Sequence, residues 1–207
     1  MNYSQNNEQQ IIGRYFGRFA GVALDIGAND GITISNTYAL WDRGWKGALV
    51  EPSPQAFDRL RKNLAEFVVT QAVDLYNRAV GVKDEQMILH DCGTHLKKND
   101  VALLSTLVES ERDKWAAAGN EFEPVRVDVL TWNTLQGMMR WKHFDLVSID
   151  AEGMDLEILR QMDLSAMAVQ MLVIEHEHCD REGIIAHCDQ HGMKLHAANH
   201  QNSIFVR

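Results

Sequence analysis

The stretch LDIGANDG, residues 24–31, joins a short apolar run to a turn that contains two glycines. In a nucleotide-binding α/β domain, a strand such as 22–26 leads into a turn where glycine lets the backbone pass close to the ligand. The spacing differs from the dinucleotide fingerprint G-x-G-x-x-G because residue 29 is Asn, and no G-K-[ST] sequence follows to form a phosphate-binding loop. The turn therefore disfavours a ligand with a diphosphate group.

The next apolar run, 46–51, ends in Glu51. A carboxylate at the end of a second strand can accept hydrogen bonds from both hydroxyls of an adenosine ribose. A ribose that is recognised without a pyrophosphate indicates S-adenosylmethionine as the ligand. The simpler alternative, a glycine turn followed by an ordinary surface glutamate, stays open at this point.

Short apolar runs alternate with longer amphipathic stretches along the rest of the chain, and this alternation predicts an α/β fold with a doubly wound, mostly parallel sheet. The predicted strands are 22–26, 46–51, 69–76, 86–90, 125–129, 145–150, 171–175, 193–197 and 203–206. The predicted helices are 33–43, 55–66, 109–118, 131–139, 155–162 and 180–190. The segment 91–108 is ambiguous. Ligand-binding residues are expected beyond the carboxyl ends of the strands.

Length and composition limit the class of protein. The 207 residues are 45% hydrophobic, so we expect one domain over 1–207, with residues 1–20 as a helical lead-in. No apolar run approaches the ~20 residues that cross a bilayer and no secretory signal opens the chain, so we expect a cytoplasmic protein without a membrane span. The net charge of -9 disfavours a nucleic acid partner. Three cysteines without disulfide spacing fit reduced thiols.

These motifs together resemble the FkbM-type family of S-adenosylmethionine-dependent methyltransferases over residues 3 to about 175. The pieces that carry the resemblance are Ser4-Gln5 with Glu8, Leu24–Gly31, Ser35–Thr37, Gly44–Gly47, Val50–Pro52, Asn77–Gly81 and Phe144–Gly153 continuing through Leu159. The resemblance implies a Rossmann-like fold of the class I methyltransferase type, with seven strands and helices on both faces of the sheet. It also implies O-methylation of a small-molecule hydroxyl, such as that of a sugar or glycosylated metabolite.

The resemblance further implies a set of residues that bind the cofactor. Asp25, Gly27, Ala28, Asn29 and Gly31 would line the methionine and ribose portion. Glu51, beside Pro52, would bind the ribose, and Asn77 and Ala79 would lie next to the adenine. For Ser35, Asn36 and Thr37 two roles remain open, a hydrogen bond to the cofactor's carboxylate or capping of the following helix.

Candidate catalytic residues follow two later apolar runs. Asp150 and Glu152 can touch the cofactor, position an acceptor hydroxyl or ligate a divalent cation, and Glu152 can instead cap the next helix. Glu175 is a candidate for substrate positioning. His176 or His178 could remove the hydroxyl proton near neutral pH.

Three other functions remain possible from the sequence: methylation of a protein or nucleic acid nitrogen, a nucleoside- or partner-binding module without turnover, and metal-dependent transfer. His187 and His191 share a helical face, but no C-x-x-C or H-E-x-x-H sequence accompanies them, so no metal site is predicted. A divalent cation in the reaction is possible without being predicted. The connection that ends near Gly119 is expected to cover the acceptor.

Overall fold

The computed structural model describes residues 1–93, 102–177 and 179–207. Its strands are β1 (Val22–Ile26), β2 (Lys46–Val50), β3 (Val73–Tyr76), β4 (Ala79–Val80), β5 (Glu85–Cys92), β6 (Phe122–Leu130), β7 (Leu146–Ile149), β8 (Met171–Glu175), β9 (Lys194–Ala198) and β10 (Asn202–Val206). Its helices are α1 (Glu8–Phe16), α2 (Tyr38–Trp41), α3 (Pro54–Asn63), α4 (Ala65–Val69), α5 (Glu109–Ala117), α6 (Trp132–Met138), α7 (Asp155–Leu159) and α8 (Arg181–Gln190). Within these described ranges, none of the helices is long and apolar enough to span a membrane.

Seven strands form the central sheet, in the order β3-β2-β1-β7-β8-β10-β9. β1 pairs in parallel with β2 and β7, β2 pairs in parallel with β3, and β7 with β8. β10 runs antiparallel to both of its neighbours. The prediction of a mostly parallel, seven-stranded, doubly wound sheet is confirmed.

Successive residues of the central strands face two different cores. Leu24 of β1 packs in one hydrophobic cluster with Trp132 of α6. Ala23, the preceding residue, packs in a second cluster with Ile12 of α1 and Leu60 of α3. Since side chains alternate across a strand, these two clusters lie on opposite faces of the sheet, and helices cover both faces. A strand that is buried on both faces has a continuous run of apolar residues in its sequence.

A separate sheet of three strands, in the order β4-β6-β5, corrects one expectation. The runs 86–90 and 125–129 are strands, but their placement in the doubly wound sheet was wrong: β5 and β6 pair antiparallel with each other. Leu89 and Val127 build a small core of their own with Ala79. A short apolar run predicts a strand without indicating which strand it pairs with.

The segment after the glycine turn is less helical than its sequence indicates. We expected a helix over 33–43, whereas α2 covers four residues. One carboxylate oxygen of Asp30 accepts hydrogen bonds from the backbone N–H groups of Ile32 (2.9 Å) and Thr33 (2.7 Å), and the other accepts from the Thr33 hydroxyl (2.7 Å). This local turn takes the place of the first helical turn because its side-chain bonds compete with the helix.

A buried carboxylate anchors the N-terminal segment to the C-terminal strands. Glu8 is fully buried at the start of α1, within the predicted lead-in. Its Oε1 accepts hydrogen bonds from Nδ2 of Asn199 (2.6 Å) and of Asn202 (2.9 Å), and its Oε2 accepts one from the backbone N–H of Asn6 (2.9 Å). Burial acts to raise the pKa of Glu8, but these backbone and side-chain bonds outweigh it, so the pKa lies below its usual value.

We expect Glu8→Ala to lower the free energy of unfolding by about 2–4 kcal/mol, because it leaves buried amide groups without their acceptor. A carboxylate with a lowered pKa stabilises the fold above its unfolded pKa, and this contribution is lost as the pH falls through the folded pKa. The difference between the two proteins should therefore shrink in acid. Urea unfolding at a series of pH values from 7 down to about 3 measures both effects, with the exposed Glu66→Ala as the control. Equal losses for the two variants would contradict the anchoring role of Glu8.

Candidate active site

A cavity of about 460 Å³ opens at the carboxyl ends of β1, β2, β7 and β8. Ligands of doubly wound sheets bind at this edge, and the volume lies within the range of about 300–1,000 Å³ that encloses small molecules. Predicted residues that line it are Asp25, Gly27, Ala28, Asn29, Ser35, Asn36, Glu51, Pro52, Ala79, Asp150, Glu152 and Glu175. The sequence motifs therefore meet at one place.

The glycine turn brings the backbone that follows β1 against the backbone that follows β7. Gly27 has a φ of +83°, and a Cβ added there would lie 1.6 Å from the carbonyl oxygen of Asp150. Gly31 has a φ of +77°, and a Cβ added there would lie 2.5 Å from Cδ1 of Leu60. Gly27 thus shapes the cavity, whereas Gly31 lies behind the lining and packs the turn on α3.

The carboxylate of Glu51 is held against the glycine turn. Its Oε2 accepts a hydrogen bond from the backbone N–H of Asn29 (2.8 Å), and its Oε1 accepts one from the backbone N–H of Ser53 (2.7 Å). Burial raises the pKa of Glu51 to about 8, the two N–H donors lower it, and the carboxylates of Asp91 and Asp25 raise it further. Each oxygen keeps lone-pair capacity that a ligand hydroxyl can use.

Asp25 lies at the centre of a polar network beside the turn. Its Oδ2 accepts a hydrogen bond from the hydroxyl of Thr37 (2.6 Å). Burial raises the pKa of Asp25 to about 6, and hydrogen bonds from Thr37 and Ser148 oppose that shift. Nδ2 of Asn36 donates to the hydroxyl of Ser148 (3.2 Å). The network ties β1, β7 and the segment before α2 together under the cavity.

Ser35 performs one of the two roles considered for it. Its hydroxyl accepts hydrogen bonds from the backbone N–H groups of Thr37 (3.2 Å) and Tyr38 (3.0 Å), which stabilises the start of α2. Ser35 also lines the cavity, so this role leaves a ligand contact available. Thr37 is fully buried behind the lining, where it supports Asp25.

Asn77 lies behind the wall rather than in it. Its Nδ2 donates to the carbonyl oxygens of Glu51 (2.8 Å) and Pro52 (3.1 Å), so it fixes the loop that carries the Glu51 carboxylate. Ala79, two residues later, lines the cavity. Asn77 is therefore placed to act through Glu51.

The candidate bases are separated by the fold. His176 is not among the cavity residues, and its Nδ1 lies 3.0 Å from the hydroxyl oxygen of Ser203 on β10. His178 lies outside the described residues. Glu175, the last residue of β8, is buried and lines the cavity. The carboxylates, rather than His176, thus reach the place where a reacting hydroxyl would lie.

Three carboxylates that we name the acidic cluster, Asp150, Glu152 and Glu175, meet at the cavity. One oxygen of each lies within 4.8 Å of those of the other two. Burial raises the pKa of all three, and repulsion among neighbouring carboxylates raises it further.

The turn that carries the acidic cluster is held by Asp155 of α7. Its Oδ1 accepts a hydrogen bond from the backbone N–H of Ala151 (2.8 Å), and its Oδ2 accepts one from that of Gly153 (3.1 Å). The N-cap position of α7 is Met154, which makes no side-chain cap hydrogen bond, so Glu152 does not perform the capping role considered for it and its carboxylate lies in the cluster instead.

Several residues of the site have weak signals in the sequence. Ser148 is a polar residue inside an otherwise apolar strand, and this pattern could have marked it. Trp115 of α5 and Leu107 line the cavity from the predicted covering segment. Gln5 and Gln201 line it from opposite ends of the chain, and no local pattern brings such residues together.

Comparison with known proteins identifies the family. The family model described as the methyltransferase FkbM domain matches residues 25–199. No curated protein sequence matches the chain.

The solved structures that resemble this chain share its fold at low sequence identity. Methyltransferase FkbM from Methylobacillus flagellatus KT has a TM-score of 0.58 and 12% identity over 91% of this chain, and this chain spans 44% of that protein. WbdD has a TM-score of 0.53 and 11% identity over 98% of this chain and 41% of its own. The putative RNA methyltransferase PH1948 from Pyrococcus horikoshii has a TM-score of 0.52 and 13% identity, over 97% of this chain and 80% of its own. Because the family model covers most of its length, the chain belongs to the FkbM family of S-adenosylmethionine-dependent methyltransferases.

Proposed function

We propose that this protein transfers the methyl group of S-adenosylmethionine to a hydroxyl of a small molecule, with a sugar or glycosylated metabolite as the favoured acceptor. The observation that carries the proposal is the carboxylate of Glu51, buried at the end of β2 and held beside the glycine turn. A carboxylate there can accept hydrogen bonds from both ribose hydroxyls, and the turn offers no diphosphate loop.

The cofactor would lie across the ends of β1 and β2. Gly27, Ala28 and Asn29 present the backbone to its methionine and ribose portion, with Asp25 close to the ammonium group. Ser35 and Asn36 offer hydrogen bonds to its carboxylate. Pro52 and Ala79 would flank the adenine, for which they provide apolar contact and little bulk.

The acceptor would occupy the remaining part of the cavity. Gln5, Asn6, His200 and Gln201 line the cavity with hydrogen-bonding groups, which suit a molecule rich in hydroxyls. Trp115 adds an aromatic surface on which an apolar sugar face can pack.

Among the described residues that line the cavity, acidic groups outnumber basic ones, which favours a small neutral acceptor over nucleic acid. Its carboxylates come from Asp25, Glu51, Glu177 and the acidic cluster, whereas Arg78 supplies a guanidinium group. Phosphates would be repelled by this charge and by the net charge of -9. The cysteines Cys92, Cys179 and Cys188 form no disulfide bond with one another, which favours a reducing, cytoplasmic location.

The transfer step needs a base and an aligned methyl group. A lone pair of the acceptor oxygen forms the O–CH₃ bond while the S–CH₃ bond breaks and its electron pair stays on sulfur. The hydroxyl proton passes to a carboxylate of the acidic cluster, and S-adenosylhomocysteine leaves with the methyl ether. Alignment of the two reactants in one cavity supplies most of the acceleration.

Calorimetry with S-adenosylmethionine, NAD and ATP tests the first half of the proposal. We expect selective binding of S-adenosylmethionine. Mass spectrometry of a panel of sugars, glycosides, amines and oligonucleotides incubated with enzyme and cofactor tests the second half, with addition of one methyl group expected on a hydroxylated compound. Methylation confined to amines or oligonucleotides would overturn the O-methyltransferase assignment, and binding without any transfer would favour a binding module.

A further inference from the structure

The acidic cluster has the geometry of an ion site. Because its three oxygens lie no more than 4.8 Å apart, a point exists that is about 2.8 Å or less from all of them. Calcium–oxygen distances are about 2.3–2.6 Å and magnesium–oxygen distances about 2.0–2.1 Å, so small side-chain rotations would complete the contacts. Carboxylate oxygens are the ligands that such cations prefer.

One oxygen of the cluster lacks any partner in the part of the chain that the structure describes. Oε2 of Glu152 is shut off from solvent and accepts no hydrogen bond there. A buried carboxylate oxygen without a partner carries a desolvation cost of about 1–3 kcal/mol or more. Since the Glu152 carboxylate belongs to the cluster, this orphaned acceptor indicates that a ligand completes the site.

Nearby groups of the described residues do not neutralise Asp150 or Glu152, since neither forms an ion pair with a lysine, arginine or histidine there. Arg78 lines the cavity, but its Nη1 donates to the carbonyl oxygen of Asn77 (2.6 Å) and lies 3.7 Å from Oδ2 of Asp128. Like charges this close cannot all ionise without a counter-charge.

We propose that Asp150, Glu152 and Glu175 bind one divalent cation of the magnesium, manganese and calcium class, and that the acceptor's hydroxyl is a further ligand of that cation. The second clause rests on the proposed O-methyltransferase function, whereas the first stands on the cluster alone. The site selects acceptors with a hydroxyl that can reach the cation.

The cation changes one step of the transfer. A hydroxyl oxygen bound to a dication loses its proton more readily. A carboxylate of the acidic cluster would accept that proton. Formation of the O–CH₃ bond and cleavage of the S–CH₃ bond, with its electron pair staying on sulfur, follow as before.

Manganese provides the direct test, because the signal of free Mn²⁺ in electron paramagnetic resonance falls when the ion binds. We expect the protein to bind one Mn²⁺ in the absence of cofactor, with Mg²⁺ and Ca²⁺ competing for the site. Asp150→Asn, Glu152→Gln and Glu175→Gln should each weaken Mn²⁺ binding at least about tenfold. Glu66→Gln is the charge-matched control, since Glu66 is exposed on α4 and is not among the described residues that line the cavity, and it should change the affinity by less than about twofold.

The outcomes separate this inference from the proposed function. No Mn²⁺ binding by the wild-type protein, or binding that the three cluster substitutions leave unchanged, would overturn the cation site even where methyl transfer proceeds. Binding of one Mn²⁺ that the cluster variants lose would support the site even where no hydroxyl acceptor is methylated. Circular dichroism of each variant checks that the protein is folded, so that a loss of Mn²⁺ binding is not caused by unfolding. Tighter Mn²⁺ binding in the presence of an unmethylated acceptor that the enzyme methylates would support the second clause, and an unchanged affinity would overturn it.

Discussion

Gly27→Ala is expected to lower the free energy of unfolding by about 4 kcal/mol or more, a large share of the 5–15 kcal/mol that holds a typical domain together. The added Cβ would lie 1.6 Å from the carbonyl oxygen of Asp150, and a backbone atom between two central strands cannot move aside as a flexible side chain would. The left-handed φ of +83° adds a second penalty. Urea unfolding followed by circular dichroism measures the loss.

Gly44→Ala is the matched control for this substitution. Gly44 has the same φ of +83°, but an added Cβ there meets no atom within 4 Å. It should lose only the conformational part, about 1 kcal/mol. The difference between the two variants then measures the close approach of β1 to β7. Equal losses at the two positions would contradict the steric account of the LDIGANDG turn.

The close approach explains why this part of the fold was predictable from sequence. Gly27, Glu51 and Asp150 each directly follow a buried parallel strand, and parallel strands end at a common edge. A local pattern that marks three strand ends therefore also places three residues beside one cavity. The glycine spacing then decides between ligand classes, which the strand pattern alone does not do.

Other features depend on contacts between distant segments, and the sequence did not predict them. Whether a strand such as β5 joins the central sheet depends on which strand pairs with it, and its own residues do not specify this. His176 follows β8 as closely as Asp150 follows β7, yet it faces Ser203 of β10, because the position of the antiparallel strand decides which neighbour it meets. A strand-end position is thus necessary for a site residue without being sufficient.

Glu51→Gln should bind S-adenosylmethionine about 100-fold more weakly than the wild-type protein, because each of two hydrogen bonds from the ribose to a charged acceptor contributes about 1.5–3 kcal/mol. Glutamine has nearly the same shape, but it carries one acceptor oxygen where the site presents two backbone N–H donors, at Asn29 and Ser53. Its amide NH₂ must therefore face one of them. Calorimetry of the two proteins at pH 9 measures the loss of affinity.

The matched control for that substitution is Asp91→Asn. Asp91 is buried and accepts hydrogen bonds from the hydroxyls of Ser53 (3.0 Å) and Ser105 (2.7 Å), but it is not among the described residues that line the cavity. We expect it to bind the cofactor within about threefold of the wild-type affinity. A loss as large as that of Glu51→Gln would assign the effect to general disturbance of the loop after β2.

The pH dependence of binding separates the charge of Glu51 from its shape. The groups around this carboxyl are the carboxylates of Asp25 and Asp91 and the N–H donors of Asn29 and Ser53, and with burial they place its pKa at about 8. A ligand that requires the ionised form binds about tenfold more weakly at pH 7 than at pH 9, since the ionised fraction falls by that factor as the pH drops through 8. Methylthioadenosine is the suitable probe because it keeps the ribose and lacks the amino group that titrates in this range. The affinity of Glu51→Gln for methylthioadenosine should not change between pH 7 and pH 9. A pH dependence that persists in this variant would show that another group titrates, and it would contradict the role of Glu51 as the ribose acceptor.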